Sequence, residues 1–249
     1  MKKIYLFLFA LILTVSASAQ TFRDRTSTNG SIHSNTSQNS YAVGVVSGSD
    51  QAQITNCTLT IPAPATDSRA VDLGLSVKWA SCNVGATAPE EYGGYYAWGE
   101  TEEKNSYFWS NYKYYNNTYN TCTKYIPSSS YGTVDDKTTL EPEDDVATVK
   151  WGGNWRMPTL DEIKELINNC TWEWTTLNGV NGYRVTGPNG NSIFLPATGW
   201  HSGAEVSNQG SVGAYWSSVD SSHLAFSSDR YLWIVHKRYK GLSVRPVCP

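Results

Sequence analysis

The clearest alternation of hydrophobic and polar residues lies between positions 73 and 80. Leu73, Leu75, Val77 and Trp79 alternate there with small or polar residues. A period of two sends successive side chains to opposite faces of an extended chain. The pattern therefore predicts a strand over residues 73–80 that is buried on one face.

A helical period appears once, directly after the sequence Arg-Met-Pro-Thr at 156–159. Thr159 and Glu162 have the spacing of a capping box, in which each side chain bonds the other residue's backbone amide. Spacings of three and four then predict one principal helix over about residues 159–169, with an apolar stripe facing a sheet. The stripe consists of Leu160, Ile163, Leu166 and Ile167.

Short extended segments make up most of the remaining pattern. Residues 183–186 and 192–195 flank Gly-Pro-Asn-Gly-Asn, which predicts a hairpin because Gly and Asn tolerate left-handed backbone. One helix with mainly antiparallel short strands and long loops is an α+β fold. Further short strands are predicted at 213–218, 224–227, 231–235 and 242–247.

Residues 101–139 show no sustained period and are rich in Tyr, Asn, Ser and Thr. We expect a long surface excursion, which compact domains keep mainly when it is packed or functional. Its aromatic rings either stack on sugar rings or, as is more common, anchor the loop to the body. The rings concerned are Tyr107, Trp109, Tyr112, Tyr114 and Tyr115.

The N-terminus has the three parts of a secretory signal peptide. Lys2 and Lys3 precede an apolar run at 4–15, and small residues at 16–19 precede Gln20. This pattern predicts Sec-type export of the mature chain to the cell surface or the medium, with residues 1–20 removed. No later segment has the roughly 20 apolar residues of a membrane span, so none is expected.

The polar segment at 21–69 is dominated by Ser, Thr, Asn and Gln and is predicted to be a flexible or weakly stranded leader ending near the Pro-Ala-Pro spacer at 62–64. Residues 70–249 are predicted to form one folded domain.

Loss of Lys2 and Lys3 changes the formal charge from −3 to −5. A net negative chain disfavours a nucleic-acid partner or an anionic membrane surface.

The mature chain contains five cysteines: Cys57, Cys82, Cys122, Cys170 and Cys248. Export favours disulfides, and an odd number leaves at least one thiol unpaired or intermolecular. Cys57, in the leader, is the candidate for the unpaired thiol, and the other four allow three connectivities. The chain contains no Cys-x-x-Cys and no spaced His pair, so a zinc site is not expected.

Four short motifs occur in a fixed order in the second half of the chain. They are Asn-Trp-Arg-Met-Pro-Thr at 154–159, Phe-Leu-Pro-Ala-Thr-Gly at 194–199, Tyr-Trp-Ser-Ser at 215–218 and Gly-Leu-Ser-Val-Arg-Pro-Val at 241–247. The series resembles the Fibrobacter succinogenes major paralogous domain, a secreted bacterial family with a C-type-lectin-like fold. The resemblance covers about residues 71–249. It implies a scaffold that presents a binding face, and it names no ligand.

An acidic run at 141–145 raises the question of calcium, which prefers hard oxygen ligands. The Glu-Pro-Asn or Gln-Pro-Asp loop of calcium-dependent lectins is absent, and the run matches a recurring block of the resembled family. We therefore expect a structural role, such as turn capping, and predict no cofactor, with calcium as the alternative. The carboxylates are Glu141, Glu143, Asp144 and Asp145.

Catalysis has no positive support in the sequence. The histidines lie outside any recognised nucleophile motif, and Asp161 and Glu162 suit the electrostatics of a helix start. The segment at 156–159 also resembles the helix entry of formylglycine-generating enzymes. Those enzymes use a pair of reactive cysteines near the C-terminal part of the domain, where this chain has only Cys248. The chain is predicted to be non-enzymatic, with such an enzyme as one alternative.

The C-terminal block has the composition of a recognition surface, since Tyr and Trp supply contact area and Ser and Asp supply adaptable hydrogen bonds. We predict that it binds a glycan or a protein outside the cell. In lectin-like proteins diversified by retroelements the variable stretch lies in the same position, so a diversified binding protein is one form of this hypothesis. The predicted ligand-binding residues are Asp220, His223, Asp229, Tyr231, Trp233, His236, Lys237 and Tyr239.

Two alternatives to this surface stay open. The aromatic residues of the block could be strand-core residues with solvent-facing polar neighbours, which is the interpretation preferred for Trp216, Phe226, Arg245 and Pro246. The chain could also be the subunit of a surface filament, with the leader donating a strand to a neighbouring subunit.

Overall fold

The computed structural model describes residues 67–118 and 121–249, together with the backbone of five short strands nearer the N-terminus. Contacts between Cα atoms divide the chain into two units, Met1–Ala65 and Thr66–Pro249. The predicted signal peptide, the spacer at 62–64 and Cys57 lie outside the described residues. The strands of the first unit are β1 (Phe22–Arg23), β2 (Ser31–Ile32), β3 (Ser34–Asn35), β4 (Ser40–Ala42) and β5 (Thr58–Thr60). They pair antiparallel as β1-β2 and β3-β4-β5.

The two ends of the second unit meet in one antiparallel sheet of order β16-β7-β6. Its strands are β6 (Ala70–Val71), β7 (Lys78–Ala80) and β16 (Val247–Cys248). The predicted strand over 73–80 is therefore too long, because Gly74 has φ +76° and donates its amide to Asp72 at 2.7 Å, which turns the chain. The predicted one-sided burial is confirmed at Leu73, Val77 and Trp79.

A second antiparallel sheet has the order β10-β9-β8. It consists of β8 (Thr171–Leu177), β9 (Val180–Thr186) and β10 (Ser192–Pro196). The predicted hairpin around residues 187–191 is confirmed as the β9–β10 connection. Strand β8 was not predicted. It reaches β9 through Asn178 and Gly179, both with positive φ.

The third main sheet has the order β13-β14-β15 and follows a small β11–β12 hairpin. The strands are β11 (Trp200–Ser202), β12 (Glu205–Ser207), β13 (Val212–Trp216), β14 (Ser222–Ser227) and β15 (Arg230–Val235). The strands predicted at 213–218, 224–227 and 231–235 are confirmed with shifts of one or two residues.

The strand predicted at 242–247 is wrong over most of its length. Leu242 and Ser243 form isolated bridges to two different segments, and only Val247 belongs to a strand. The segment runs between sheets because Arg245 points into the body. Its buried guanidinium donates to Asn83 Oδ1 at 2.7 Å and to the Phe194 carbonyl at 2.8 Å.

Two α-helices are present among the described residues, α1 (Val146–Trp151) and α2 (Leu160–Asn169). The predicted helix is confirmed as α2. Its capping box joins the Glu162 amide to Thr159 Oγ1 at 3.2 Å and the Thr159 amide to Glu162 Oε2 at 2.8 Å. Helix α1 was not predicted. With one principal helix and mainly antiparallel small sheets, the second unit is an α+β fold.

The interior of the second unit contains two aromatic-rich clusters, one around Trp98 and Trp216 and the other around Trp79 and Phe226. The described part of residues 101–139 contributes Tyr107, Tyr112 and Tyr114 to the first cluster, and all three are buried. These rings anchor the loop, which was the more common of the two expected outcomes. Neither described helix is long and apolar enough to cross a bilayer.

Candidate functional site

The C-terminal sheet has one bonded edge and one open edge. On the β13 side, the Trp216 amide donates to the Ser243 carbonyl at 3.0 Å, and the Ser243 amide donates to Ala214 at 3.3 Å. On the other side, no strand among the described residues pairs with the outer edge of β15. An unpaired edge offers a row of backbone donors and acceptors to another chain.

Strand β15 is exposed along its whole length, although five of its six residues are large and apolar. The exposed fractions are 37% for Tyr231, 37% for Leu232, 44% for Trp233, 39% for Ile234 and 64% for Val235. Together these side chains expose on the order of 400 Å², which is comparable to the largest apolar patch on a typical soluble monomer. Natural edge strands usually contain a charge or a proline; in β15 the one such residue is Arg230 at its start, and residues 231–235 contain neither.

The odd-numbered residues of β15 lie on the face that α2 and β8 approach. Tyr231 stacks on Trp172 of β8 with ring centroids 4.6 Å apart and planes 13° apart. Lys164 of α2 places its Nζ 5.4 Å from the Trp233 ring. Tyr231 is thus both a packing residue and an exposed one, whereas Trp233 and Val235 extend the same face toward solvent.

The even-numbered residues Leu232 and Ile234 lie on the opposite face, across from Ala225 and His223 of β14. His236 continues this face, and its ring centroid is 5.4 Å from that of His223. Both faces of β15 are therefore apolar at their centre, and both are partly exposed.

A single hydrogen bond identifies which backbone groups of β15 point away from the sheet. The His236 amide donates to the Ser221 carbonyl at 3.0 Å. Bonded pairs alternate along an antiparallel ladder, so the even-numbered residues of β15 bond to β14. The odd-numbered residues Tyr231, Trp233 and Val235 therefore direct their N–H and C=O groups away from the sheet.

The structure places four of the predicted binding residues on or beside this edge. Tyr231 and Trp233 are on β15, Asp229 lies in the turn before it, and Lys237 follows it two residues after its end; all four are exposed. These four residues and the apolar strand between them define the β15 edge surface.

Three other predicted residues are half-buried and make contacts within the body. Asp220 forms an ion pair with Arg238. Tyr239 packs edge-on against Trp109 at 5.7 Å, and His236 approaches Trp200 at 5.9 Å. Asp220 and Tyr239 lie away from the open edge, whereas His236 directly follows β15 and continues its even-numbered face.

The expectation that His223 is exposed is wrong, since it is 1% exposed. It lies on β14, the central strand of the sheet, where its ring packs beside Trp216 of β13 and His236. Burial, and secondarily the nearby His236, lowers the pKa of His223 to about 3. The side chain is therefore neutral at pH 7, and its Nδ1 atom finds no hydrogen-bond partner among the described residues.

The acidic run surrounds a lysine ammonium instead of an empty cavity. Lys124 Nζ contacts Glu141, lies 2.6 Å from Asp144 and lies 3.6 Å from Glu143. Burial alone would raise the pKa of Asp144, but hydrogen bonds from Lys113 and Lys124 hold it well below its usual range. Lys137 also pairs with Glu141, so three lysines together offset the negative charge of the cluster.

Asp145, the last residue of the run, has the structural role that the sequence predicted. Its carboxylate accepts hydrogen bonds from the amides of Ala147 at 2.9 Å and Thr148 at 3.1 Å, and so caps α1. It also accepts one from the Met157 amide at 2.8 Å. The residue ties α1 to the segment that leads into α2.

All four described cysteines are free, so none of the three expected connectivities is present. Burial raises the pKa of the Cys122 and Cys248 thiols and raises that of Cys170 to about 11. Thiols of this kind contain little thiolate at neutral pH, which is the form that reacts.

Sequence reasoning missed Leu232, Ile234 and Val235 as surface residues. The available signal was the unbroken apolar run at 231–235, which lacks the alternation of a half-exposed strand. A continuous run is typical of a strand that is covered on both faces.

Comparisons of the chain with protein-family models, curated proteins and solved structures found no match.

Proposed function

We propose that this chain is a secreted, non-enzymatic binding or adhesion module of the C-type-lectin-like kind, with the β15 edge surface as its recognition element. The observation that carries the proposal is the exposure of five consecutive large apolar side chains on an unpaired edge. Exposed apolar patches of this size on soluble proteins are often functional.

The resemblance to the Fibrobacter succinogenes major paralogous domain remains part of this proposal. It is supported by where the motif residues lie. Trp155, Met157, Trp216 and Arg245 are all buried and form part of the framework of the second unit. The β15 edge surface lies between the third and fourth motifs, so the framework leaves this segment free to recognise a partner.

A protein ligand fits the surface better than a glycan. Glycans require several polar side chains around an aromatic ring, whereas the centre of β15 offers apolar side chains on both faces. An extended polypeptide would pair with the outward backbone groups of Tyr231, Trp233 and Val235 and cover their side chains, as in strand addition. The ligand class that we propose is therefore an extended protein segment.

Burial raises the pKa of Cys122, Cys170 and Cys248, and this argues against the formylglycine-generating alternative at these three thiols, because a nucleophilic cysteine needs a lowered pKa. A cavity of about 210 Å³ beside β9 and β10 is also below the roughly 300–1,000 Å³ of small-molecule sites. Neither feature supplies a site for that chemistry.

The test is an array of bacterial surface proteins and glycans that also includes this protein itself. The labelled full-length protein is compared with Ile234→Lys, which introduces a charge at the centre of the edge. Val206→Lys is the matched control, since Val206 lies on β12 and is 37% exposed, close to the 39% of Ile234.

We expect Val206→Lys to keep the wild-type pattern of protein capture and Ile234→Lys to lose it at least roughly tenfold. Protein capture by Ile234→Lys at the wild-type level would contradict the proposed recognition element. Capture of glycans alone, unchanged in both variants, would contradict the proposed ligand class.

A further inference from the structure

We infer that β15 pairs antiparallel with β15 of a second copy of this chain, across a two-fold axis beside Trp233. The two three-stranded sheets would then form one six-stranded sheet. The inference rests on the proposed function, because it names the partner of the same edge.

The first argument is that the sequence of β15 matches a central strand, whereas its position is at an edge. Residues 231–235 are apolar without interruption, and each is at least 37% exposed. A strand of this composition is normally covered on both faces and bonded on both sides. A second copy supplies the missing neighbour without requiring any other molecule.

The second argument is register. A two-fold axis perpendicular to the sheet places one residue opposite its own copy, because bonded and non-bonded pairs alternate along the ladder. Among such registers, only the one centred on Trp233 pairs all of residues 231–235 with one another. Tyr231 then faces Val235 of the second copy, and Leu232 faces Ile234.

The same register satisfies the outward backbone groups. Tyr231, Trp233 and Val235 are the residues whose N–H and C=O groups point away from β14. In this register they form the bonded pairs, which gives about six new backbone hydrogen bonds across the interface. The hydrogen-bonding pattern of β15 and its apolar pattern therefore select the same alignment.

The third argument is charge. The register brings Asp229 opposite Lys237 of the second copy, and symmetry repeats this pair at the other end of the strand. Both side chains are exposed, and neither forms a salt bridge with another described residue. Arg230 faces His236 of the second copy, and burial, with lesser contributions from nearby lysines, lowers the pKa of His236, so this pair is not a repulsion of two cations at neutral pH.

Lys164 is the other cation near the axis, since it lies over Trp233. Asp161 compensates it at 3.0 Å within the same helix. With the flanking turn residues included, two copies would bury on the order of 1,200 Å², the lower limit for stable interfaces. We therefore expect a reversible dimer with a dissociation constant on the order of micromolar.

The experiment is sedimentation velocity on the full-length exported protein over about 1 to 100 µM, which spans the expected dissociation constant. Wild type is compared with Asp229→Lys, with Lys237→Asp and with the double variant. Melting temperatures of all four proteins are measured in parallel to show that they are folded. Lys237→Asp leaves the turn before β15 intact, so it still tests the pair if Asp229→Lys disturbs that turn.

We expect a monomer–dimer equilibrium in wild type, weakened roughly tenfold by each single variant because each interface contains the pair twice. The double variant should return to within about threefold of wild type, because exchanging the two charges restores the pair. This reversal is specific to antiparallel self-pairing in the stated register.

A wild-type monomer over the whole range would overturn the inference, as would higher polymers in place of a dimer, or single-variant effects that add in the double variant. These outcomes are separable from failure of the proposed function. If wild type is monomeric and Ile234→Lys still abolishes its capture of other proteins, the β15 edge surface remains a recognition element and only self-pairing is ruled out.

Discussion

Acid should destabilise this protein well above the pH at which its carboxylates become protonated, and His223 is the reason. The side chain is 1% exposed, and its pKa is lowered from 6.5 to about 3, chiefly by burial. In the unfolded chain the same imidazole takes up a proton near pH 6.5. The folded state therefore binds fewer protons than the unfolded state between these two values.

The sign follows from linkage. A histidine whose pKa is lowered on folding contributes its full stability above pH 6.5 and loses it as the pH falls toward 3. Each pH unit below 6.5 is worth about 1.4 kcal/mol, so from pH 7.5 to pH 5 the loss is about 2 kcal/mol. His236 acts in the same direction, because burial also lowers its pKa.

The assay is urea denaturation at pH 7.5 and at pH 5, where ordinary carboxylates are still ionised. The comparison variant is His223→Phe, whose ring has a similar shape and cannot be protonated. Because His223 Nδ1 finds no hydrogen-bond partner among the described residues, the variant should be about as stable as wild type at pH 7.5. Its stability should fall by about 2 kcal/mol less than that of wild type at pH 5.

Two results would refute this reasoning. One is a wild-type protein whose free energy of unfolding is the same at both pH values. The other is a His223→Phe variant that keeps the full wild-type dependence on pH, which would assign the effect to other groups. The difference between variant and wild type removes the contribution of every carboxylate common to both.

Three further predictions concern the interior contacts. Asp145→Ala should lower the free energy of unfolding by about 3 kcal/mol in urea denaturation, because it removes the partner of three amides; a loss under about 1 kcal/mol would contradict this role. Calcium should leave the wild-type melting temperature unchanged, because Lys113, Lys124 and Lys137 already offset the charge of the acidic run, and a calcium-dependent rise that is lost in Glu141→Gln would contradict this. The Cys170 thiol should react with a disulfide reagent at least roughly tenfold more slowly at pH 7 than a free peptide thiol, and equal rates would exclude its raised pKa.

The elements with local signals were predictable from the sequence. Helix α2 follows from its capping box and stripe, and the β9–β10 hairpin follows from its Gly and Asn turn. These signals are short-range, since every partner lies within a few residues of the other. Strand β8 also had a local signal that was overlooked, because Trp172 and Trp174 alternate with polar residues and Asn178-Gly179 is a typical hairpin turn.

The errors share a different cause, which is the dependence of burial on the order of strands. The sequence predicted a strand at β14 and another at β15, but it does not contain the order of strands in the sheet. His223 is buried because β14 lies at the centre, and Trp233 is exposed because β15 lies at the edge. If β15 were the central strand and β14 the edge strand, we would expect Trp233 to be covered and His223 to be exposed, so the local pattern alone does not separate the two residues.

The two edges of this sheet carry the main argument for a recognition surface. At the β13 edge, Ser243 bonds to Ala214 and Trp216, so the chain's own C-terminal segment covers that side. At the β15 edge no described segment does so, although β15 is more apolar than β13 and both of its faces are partly exposed. The chain thus covers its less apolar edge and leaves the more apolar edge exposed to solvent. Binding of a partner at the exposed edge would therefore lower the free energy. Since the outward backbone groups, the apolar run and the end charges of β15 all match a second β15, the same features that make this edge unfavourable in a monomer specify how it would be covered.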